Sequence, residues 1–185
     1  MKPKVWMPAV FAAALSLWAT AAVAAETQDQ GQLFAPIASV LTSPRCINCH
    51  PATAFPHQGD EHRRHDQMVL RGPDNTGHPA LHCFACHQDR NEAGGYVPGA
   101  PKWHLAPLSM AWEGLSAGQI CRQIKDPAKN GGRKTLDQVV EHMRSDPLVL
   151  WAWNPGNDRS TPPLPHDEFV RDLDAWVAAG GPCPG

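Results

Sequence analysis

The chain has 185 residues, with 19 prolines, 15 glycines, six cysteines and a formal net charge of −2. That length predicts a single domain, and the absence of any Lys/Arg block argues against a nucleic-acid partner. The proline and glycine content predicts short helices joined by long, irregular loops.

Lys2 and Lys4 give the chain a basic start, and an apolar run from Val5 to Val23 follows. Ala22-Val23-Ala24 then offers the small-residue pattern that signal peptidase needs, with the cut after Ala24 or Ala25. The expectation is a signal peptide over 1–24 and one exported, periplasmic domain over 25–185. A retained membrane anchor is the competing reading, and the polar Glu26-Thr27-Gln28-Asp29-Gln30 favours cleavage. No other stretch has the length or apolarity to cross a bilayer. Loss of Lys2 and Lys4 makes the mature chain two units more negative.

From Leu33 to Leu41 apolar residues recur at helical spacing, so a first helix is predicted there. Ser43-Pro44 ends it and leads into Cys46-Ile47-Asn48-Cys49-His50. This is C-x-x-C-H, the attachment signal of a c-type haem. Two cysteines three positions apart on a helical turn can each form a thioether to one haem vinyl group. The histidine that follows then supplies an axial nitrogen to the iron. A loop with Pro51, Pro56 and Gly59 carries His57, His62 and His65, and Asp60-Glu61 opens a predicted short helix through about Leu70. Gly72 to Gly77 is a turn cluster. A second C-x-x-C-H follows, Cys83-Phe84-Ala85-Cys86-His87.

Residues 91–101 read as loop. Ser116 is a good N-cap for a helix from Ala117 to about Lys125, with Ile120 and Ile124 on one face. Thr135 caps another, with Leu136, Val139, Val140 and Met143 facing inward, and Asp146-Pro147 stops it. Leu148 to Trp153 is too short to type. After a proline-rich loop, the last helix runs from about Asp167 to Ala179 and buries Phe169, Leu173, Trp176 and Val177. No strong strand pattern is present. The fold class expected is mainly α with extensive coil, a small di-haem cytochrome c-like domain in which two haems supply much of the core.

Cys46, Cys49, Cys83 and Cys86 are therefore the thioether candidates, and His50 and His87 the proximal iron ligands. Two C-x-x-C pairs could instead build one zinc site, a reading that leaves both trailing histidines unexplained. Cys121 and Cys183 remain, and two leftover cysteines in an exported chain predict a disulfide. A low-spin electron carrier also needs a histidine or methionine on the far side of each iron. His65 lies between the two motifs, and Met110 follows the stiffening Pro107. His142 sits at the edge of a buried helix face, and His104 competes with Met110. The order of preference is His65 and Met110, then His142, then His104, with His82 a neighbour-haem candidate. Arg63, Arg64, Arg71 and Arg133 could pair with propionates, though solvated surface is their default. Trp103, Trp112, Trp151, Trp153 and Trp176 are core candidates able to wall a haem. No G-x-S-x-G, phosphate loop or paired carboxylate supplies catalytic chemistry, so no catalytic residue is assigned.

With its two C-x-x-C-H motifs the chain resembles a di-haem c-type cytochrome. A narrower resemblance rests on Ser43-Pro44-Arg45-Cys46-Ile47-Asn48-Cys49-His50-Pro51, Arg71-Gly72-Pro73-Asp74, Gly99-Ala100-Pro101-Lys102-Trp103, Gln123-Ile124-Lys125-Asp126 with Asn130-Gly131-Gly132-Arg133, and Leu148-Val149-Leu150-Trp151-Ala152-Trp153-Asn154-Pro155-Gly156. These stretches resemble a family of small exported bacterial proteins labelled as a subunit of isoquinoline 1-oxidoreductase. The resemblance implies electron transfer beside a molybdenum hydroxylase. The chain has none of the large domains that hold molybdopterin. The expected function is a periplasmic electron-transfer protein carrying two haems c and serving redox partner proteins, a dehydrogenase or a molybdenum hydroxylase. The competing readings are a small haem enzyme, peroxidase-like or a sulfur-compound oxidoreductase, with one open iron, where His57, His62 and Arg63 would be the acid–base groups, and a zinc-binding interaction module.

Overall fold

A computed structural model describes residues 31–185; the leader read over 1–24 lies outside them. Six helical segments carry the fold: α1 (Phe34–Leu41), α2 (Pro44–Ile47), α3 (Ala117–Ile124), α4 (Leu136–Ser145), α5 (Pro147–Leu150) and α6 (His166–Ala178). Among the described residues no helix is long and apolar enough to cross a membrane.

Local chemistry sets the helix boundaries. The Ser116 hydroxyl accepts from Gln119 N at 3.3 Å while the Gln119 side chain accepts from Ser116 N at 2.8 Å, a reciprocal cap that starts α3. Thr135 Oγ1 accepts from Gln138 N and starts α4. Asp146 closes α4 in extended backbone, and its carboxylate takes the Leu148 and Val149 amides to open α5. Pro44, at the first position of α2, lacks the amide that would go unpaired there.

The core lies where α1, α3, α4 and α6 meet. Phe34, Ile37, Ile120, Phe169, Leu173 and Trp176 are wholly buried, with Phe34 tilted on Trp176 at a centroid distance of 5.3 Å. Leu136 and Val177 pack at its edge. The tail returns over this core: Trp176 Nε1 donates to Pro182 O at 2.8 Å and Lys125 Nζ to Gly181 O at 2.5 Å. Gly118 lets the tail approach, since a Cβ there would lie 2.4 Å from Pro184 O. Cys121 and Cys183, 62 residues apart, are joined as a disulfide that ties the tail to α3. Replacing both cysteines by serine frees that loop in the unfolded chain. The expected loss is about 4 kcal/mol, read from urea unfolding with and without the bridge.

Between the helices, residues 48–112 form the loop-rich half. Here the helix expected from Asp60 to about Leu70 does not form. His57–Gln58 (β1) pairs antiparallel with Arg63–Arg64 (β2), and Gly77–His78 (β3) with Leu81–His82 (β4). The polar side chains of the first segment are claimed at long range instead. Arg45 holds Asp60 in an ion pair, Asn48 meets His62 and Gln58 brackets Asp66. His62 takes a left-handed backbone (φ 53°), which breaks any helix there.

Arg71 departs from the solvated default. It is 7% exposed, and its guanidinium donates to Asn75 Oδ1 and to the carbonyls of Pro51, Thr53 and Ala106. Arg71 thus ties the loops after both motifs to one another, a role that only tertiary approach creates. Next to it Gly72 (φ 71°) is obligatory, because a Cβ would lie 2.0 Å from Gly77 O.

Candidate functional site

The two motifs lie in different surroundings. Cys46 and Ile47 pack against the helical core through α2, whereas Cys83–Ala85 forms a single 3₁₀ turn after β4, with Phe84 and Cys86 exposed. Yet each motif histidine is held in the same way. His50 Nδ1 lies 2.8 Å from Met110 O, and the ring stacks on Trp112 at a centroid distance of 3.5 Å and an interplanar angle of 7°. His87 Nδ1 lies 2.7 Å from Pro98 O, and its ring stacks on Trp103 at 4.5 Å and 6°. A carbonyl only accepts, so Nδ1 carries the proton in both rings. Nε2 is left with its lone pair free, the arrangement of a metal-ligating histidine.

Each histidine opens onto a cavity. One, of about 310 Å³, is lined by Cys46, Cys49, His50, Met110, Arg133 and His142, among others. The other, of about 450 Å³, is lined by Cys83, Cys86, His87, His65, His82 and Trp103, among others. Both volumes are in the range of cofactor sites. Arg45, Cys49, His104 and Trp151 line both cavities, so the two are neighbours with a common wall.

Each cavity also contains a second imidazole. His65 faces His87 at a centroid distance of 6.0 Å with the rings near perpendicular. Two rings at that separation could hold one metal ion between them. In the other cavity His142 lies near His50. Burial, with the charge of nearby groups, pushes both down to about 4. For His50 the Met110 hydrogen bond opposes the shift; for His142 Arg133 adds to it and Asp146 opposes it. Burial likewise lowers His65 and His87. All four imidazoles are therefore neutral near pH 7, the state a metal requires.

These shifts predict a pH dependence. An unfolded histidine titrates near 6.5. Between that pH and about 4 the unfolded chain takes up protons that buried His50 and His142 do not. Stability of the chain without bound groups is thus intact above pH 6.5 and falls as pH drops towards 4, by up to about 3 kcal/mol per imidazole. Urea midpoints at pH 7.5, 6 and 4.5 measure it.

Several features bear on what the cavities can hold. Arg45 is buried, pairs with Asp60 and keeps Nε without a partner, and His82 keeps a buried Nδ1 without one. Both residues line the larger cavity. Burial pushes the Cys46 thiol up to about 12 and the Cys49 thiol to about 11. Among the described residues, the one group of three ligand atoms close enough for a metal ion is His57, His62 and Glu113, without a cysteine. The residues thus fit a covalently held haem in each cavity and not a zinc ion on the cysteines. The chemistry of the set fits too: two thiols, a lone-pair imidazole on a tryptophan, an opposing imidazole and a buried guanidinium.

Sequence reading placed Met110 among the far-side ligands. Its carbonyl holds His50 Nδ1, while its side chain lines the cavity. His104 bonds Lys102 O at 2.5 Å on the common wall. Arg45, Arg159 and the pairing of Trp112 and Trp103 with the motif histidines were not found from sequence. Two of them had a visible signal, since Arg45 precedes Cys46 and Trp103 lies 16 residues beyond His87. No family model, no curated protein and no solved structure matches the chain.

Proposed function

We propose that the chain is a c-type cytochrome that carries two covalently attached haems and passes electrons between partner proteins outside the cytoplasm. The observation that carries this reading is the duplicated arrangement of His50 and His87, each with Nδ1 on a carbonyl, its ring on a tryptophan and a cavity at Nε2. Each haem would supply one reversible one-electron couple. The chain's own residues do the rest. Cys46 and Cys49, and Cys83 and Cys86, anchor the porphyrin edges. Trp112 and Trp103 fix the rings of His50 and His87 and keep water from them. Arg45, with Arg133 in one cavity and Arg159 in the other, offers positive charge to propionates. His142 and His65 are the preferred far-side ligands, ahead of Met110.

A small haem enzyme requires one open iron. Both cavities contain a second imidazole, which favours the electron carrier. The resemblance to the isoquinoline-oxidoreductase subunit family supports a molybdenum hydroxylase as the electron donor, and that assignment rests on the resemblance alone.

The test is expression with a haem-attachment system and export, followed by mass spectrometry of the denatured chain. Two covalent haems per chain, with reversible reduced-minus-oxidised spectra, are expected. A chain with no covalent haem would falsify the reading. High-spin signals from one iron would favour the enzyme.

A further inference from the structure

His57, His62 and Glu113 converge on one point, and the electron-carrier reading uses none of them, although His57 also lines the larger cavity. Their ligand atoms lie within 4.8 Å of one another. Glu113 Oε1 is 3.2 Å from His62 Nε2 and 4.0 Å from His57 Nε2, and the two imidazoles stack at a centroid distance of 4.0 Å. Half-buried positions of this kind are often occupied by ordinary hydrogen bonds, so the proton count decides.

His57 Nδ1 lies 2.7 Å from the His62 carbonyl, which can only accept. Nδ1 therefore holds a proton, and Nε2 is the atom turned inward. The nearest groups to that atom give no proton. Thr53 Oγ1 is 3.2 Å away, but its hydrogen goes to Phe55 O at 2.7 Å. His62 repeats the pattern. Its Nδ1 lies 2.6 Å from Asn48 Oδ1, and the Asn48 amide nitrogen is already donating to Gly59 O, which fixes Oδ1 as the acceptor. His62 Nε2 then points at a carboxylate oxygen. Two Nε2 atoms and a carboxylate therefore converge with both Nδ1 positions already engaged, and such a set is held together by a cation, whether a proton or a metal ion.

We propose that His57 Nε2, His62 Nε2 and Glu113 form a binding site for one divalent transition-metal ion of zinc type. Two imidazoles and one carboxylate are a recurrent zinc donor set, with a fourth position left to water or a ligand. Donors around a tetrahedral zinc lie about 3.3 Å apart, close to the 3.2 Å between Glu113 Oε1 and His62 Nε2, and His57 Nε2, 4.0 Å from the same oxygen, must draw in as the two rings splay. The outer contacts are already in place: His62 O and Asn48 fix the tautomers, and Ala52 N donates to Glu113 Oε2 at 2.8 Å. The Ala52 amide also opposes the cost of burying the Glu113 charge. The left-handed backbone of His62 (φ 53°) is what carries its ring to this point.

The site touches the first motif on both sides. Asn48 lies inside it, and Ala52 follows His50 by two residues. A bound ion would brace the loop from Pro51 to His62 against the motif. The inference is independent of whether the cavities hold haem.

The test uses the full exported chain with its covalent groups in place, dialysed against a chelator and titrated calorimetrically with zinc chloride. One zinc per chain is expected, weakened at least tenfold by Glu113→Gln, which keeps the Ala52 contact, and by His62→Asn, which tolerates the same backbone. Carbethoxylation read by peptide mass needs no variant. His57 and His62 should be modified in the chelated chain and protected by zinc. No zinc binding by the native chain, or equal modification of both histidines with and without zinc, overturns the proposal.

Discussion

If the proposed function holds, a chain with Cys83→Ala and Cys86→Ala will be recovered with one covalent haem where the native chain is expected to carry two. The haem content per chain, read by mass after denaturation and by the pyridine haemochrome, should halve. The reason lies in the different footing of the two motifs. The second stands on a single 3₁₀ turn in the loop-rich half, with Phe84 and Cys86 exposed, and no residue of it belongs to the helical core. Its loss leaves α1, α3, α4 and α6 with their packing. The matching change at Cys46 and Cys49 should cost more than one haem. Cys46 packs against the core and Cys49 lines both cavities. That variant should therefore also express poorly and attach the second haem incompletely. Two haems retained in the Cys83→Ala/Cys86→Ala chain would show that the assignment of thiols is wrong.

The second large effect is expected at the far-side imidazoles. His65→Met should raise the potential of one couple by on the order of 0.1 V, a part of the roughly 0.8 V range that axial ligands set, and leave the other couple in place. His142→Met should do the same to the other couple. His65→Ala and His142→Ala should each convert one iron to a high-spin form that binds added imidazole. Met110→Leu should leave both couples near their native values, because Met110 engages His50 through its backbone carbonyl, which leucine retains. Redox titration followed optically separates these outcomes. A native-like potential in His65→Met together with a shifted one in Met110→Leu would reverse the assignment.

What could be read from the sequence had a local cause. The C-x-x-C-H spacing is chemistry written within five residues. Ser116 with Gln119, and Thr135, announce their helices because a cap bonds to an amide three positions away. The mainly helical, coil-rich class followed from these signals, and the helices of the C-terminal half lie within a residue or two of their expected ends. The four two-residue strands were not legible, since no alternation can be seen in two residues. The expected helix after Asp60 failed for a related reason. Its polar residues suit a helix surface, but Arg45 and Asn48 reach them from the first motif. The partners of His50 and His62 also come from afar. Met110 is 60 residues beyond His50, and Glu113 is 51 beyond His62. Ring stacking and tautomer are properties of that approach, and no window of sequence contains them.

The common wall between the cavities has a thermodynamic consequence. Arg45, Cys49, His104 and Trp151 face both sides, and charges separated by so thin a wall, with little water between them, are weakly screened. An electron placed on one side therefore disfavours a second on the other. Two centres so arranged do not titrate as independent Nernstian steps, even if their ligands were identical. The reduction curve is stretched by their mutual repulsion, and each apparent midpoint belongs to the pair. The buried guanidinium of Arg45 stands in both fields at once. Neutralising it would lower both midpoints together, which a residue belonging to one cavity alone would not do.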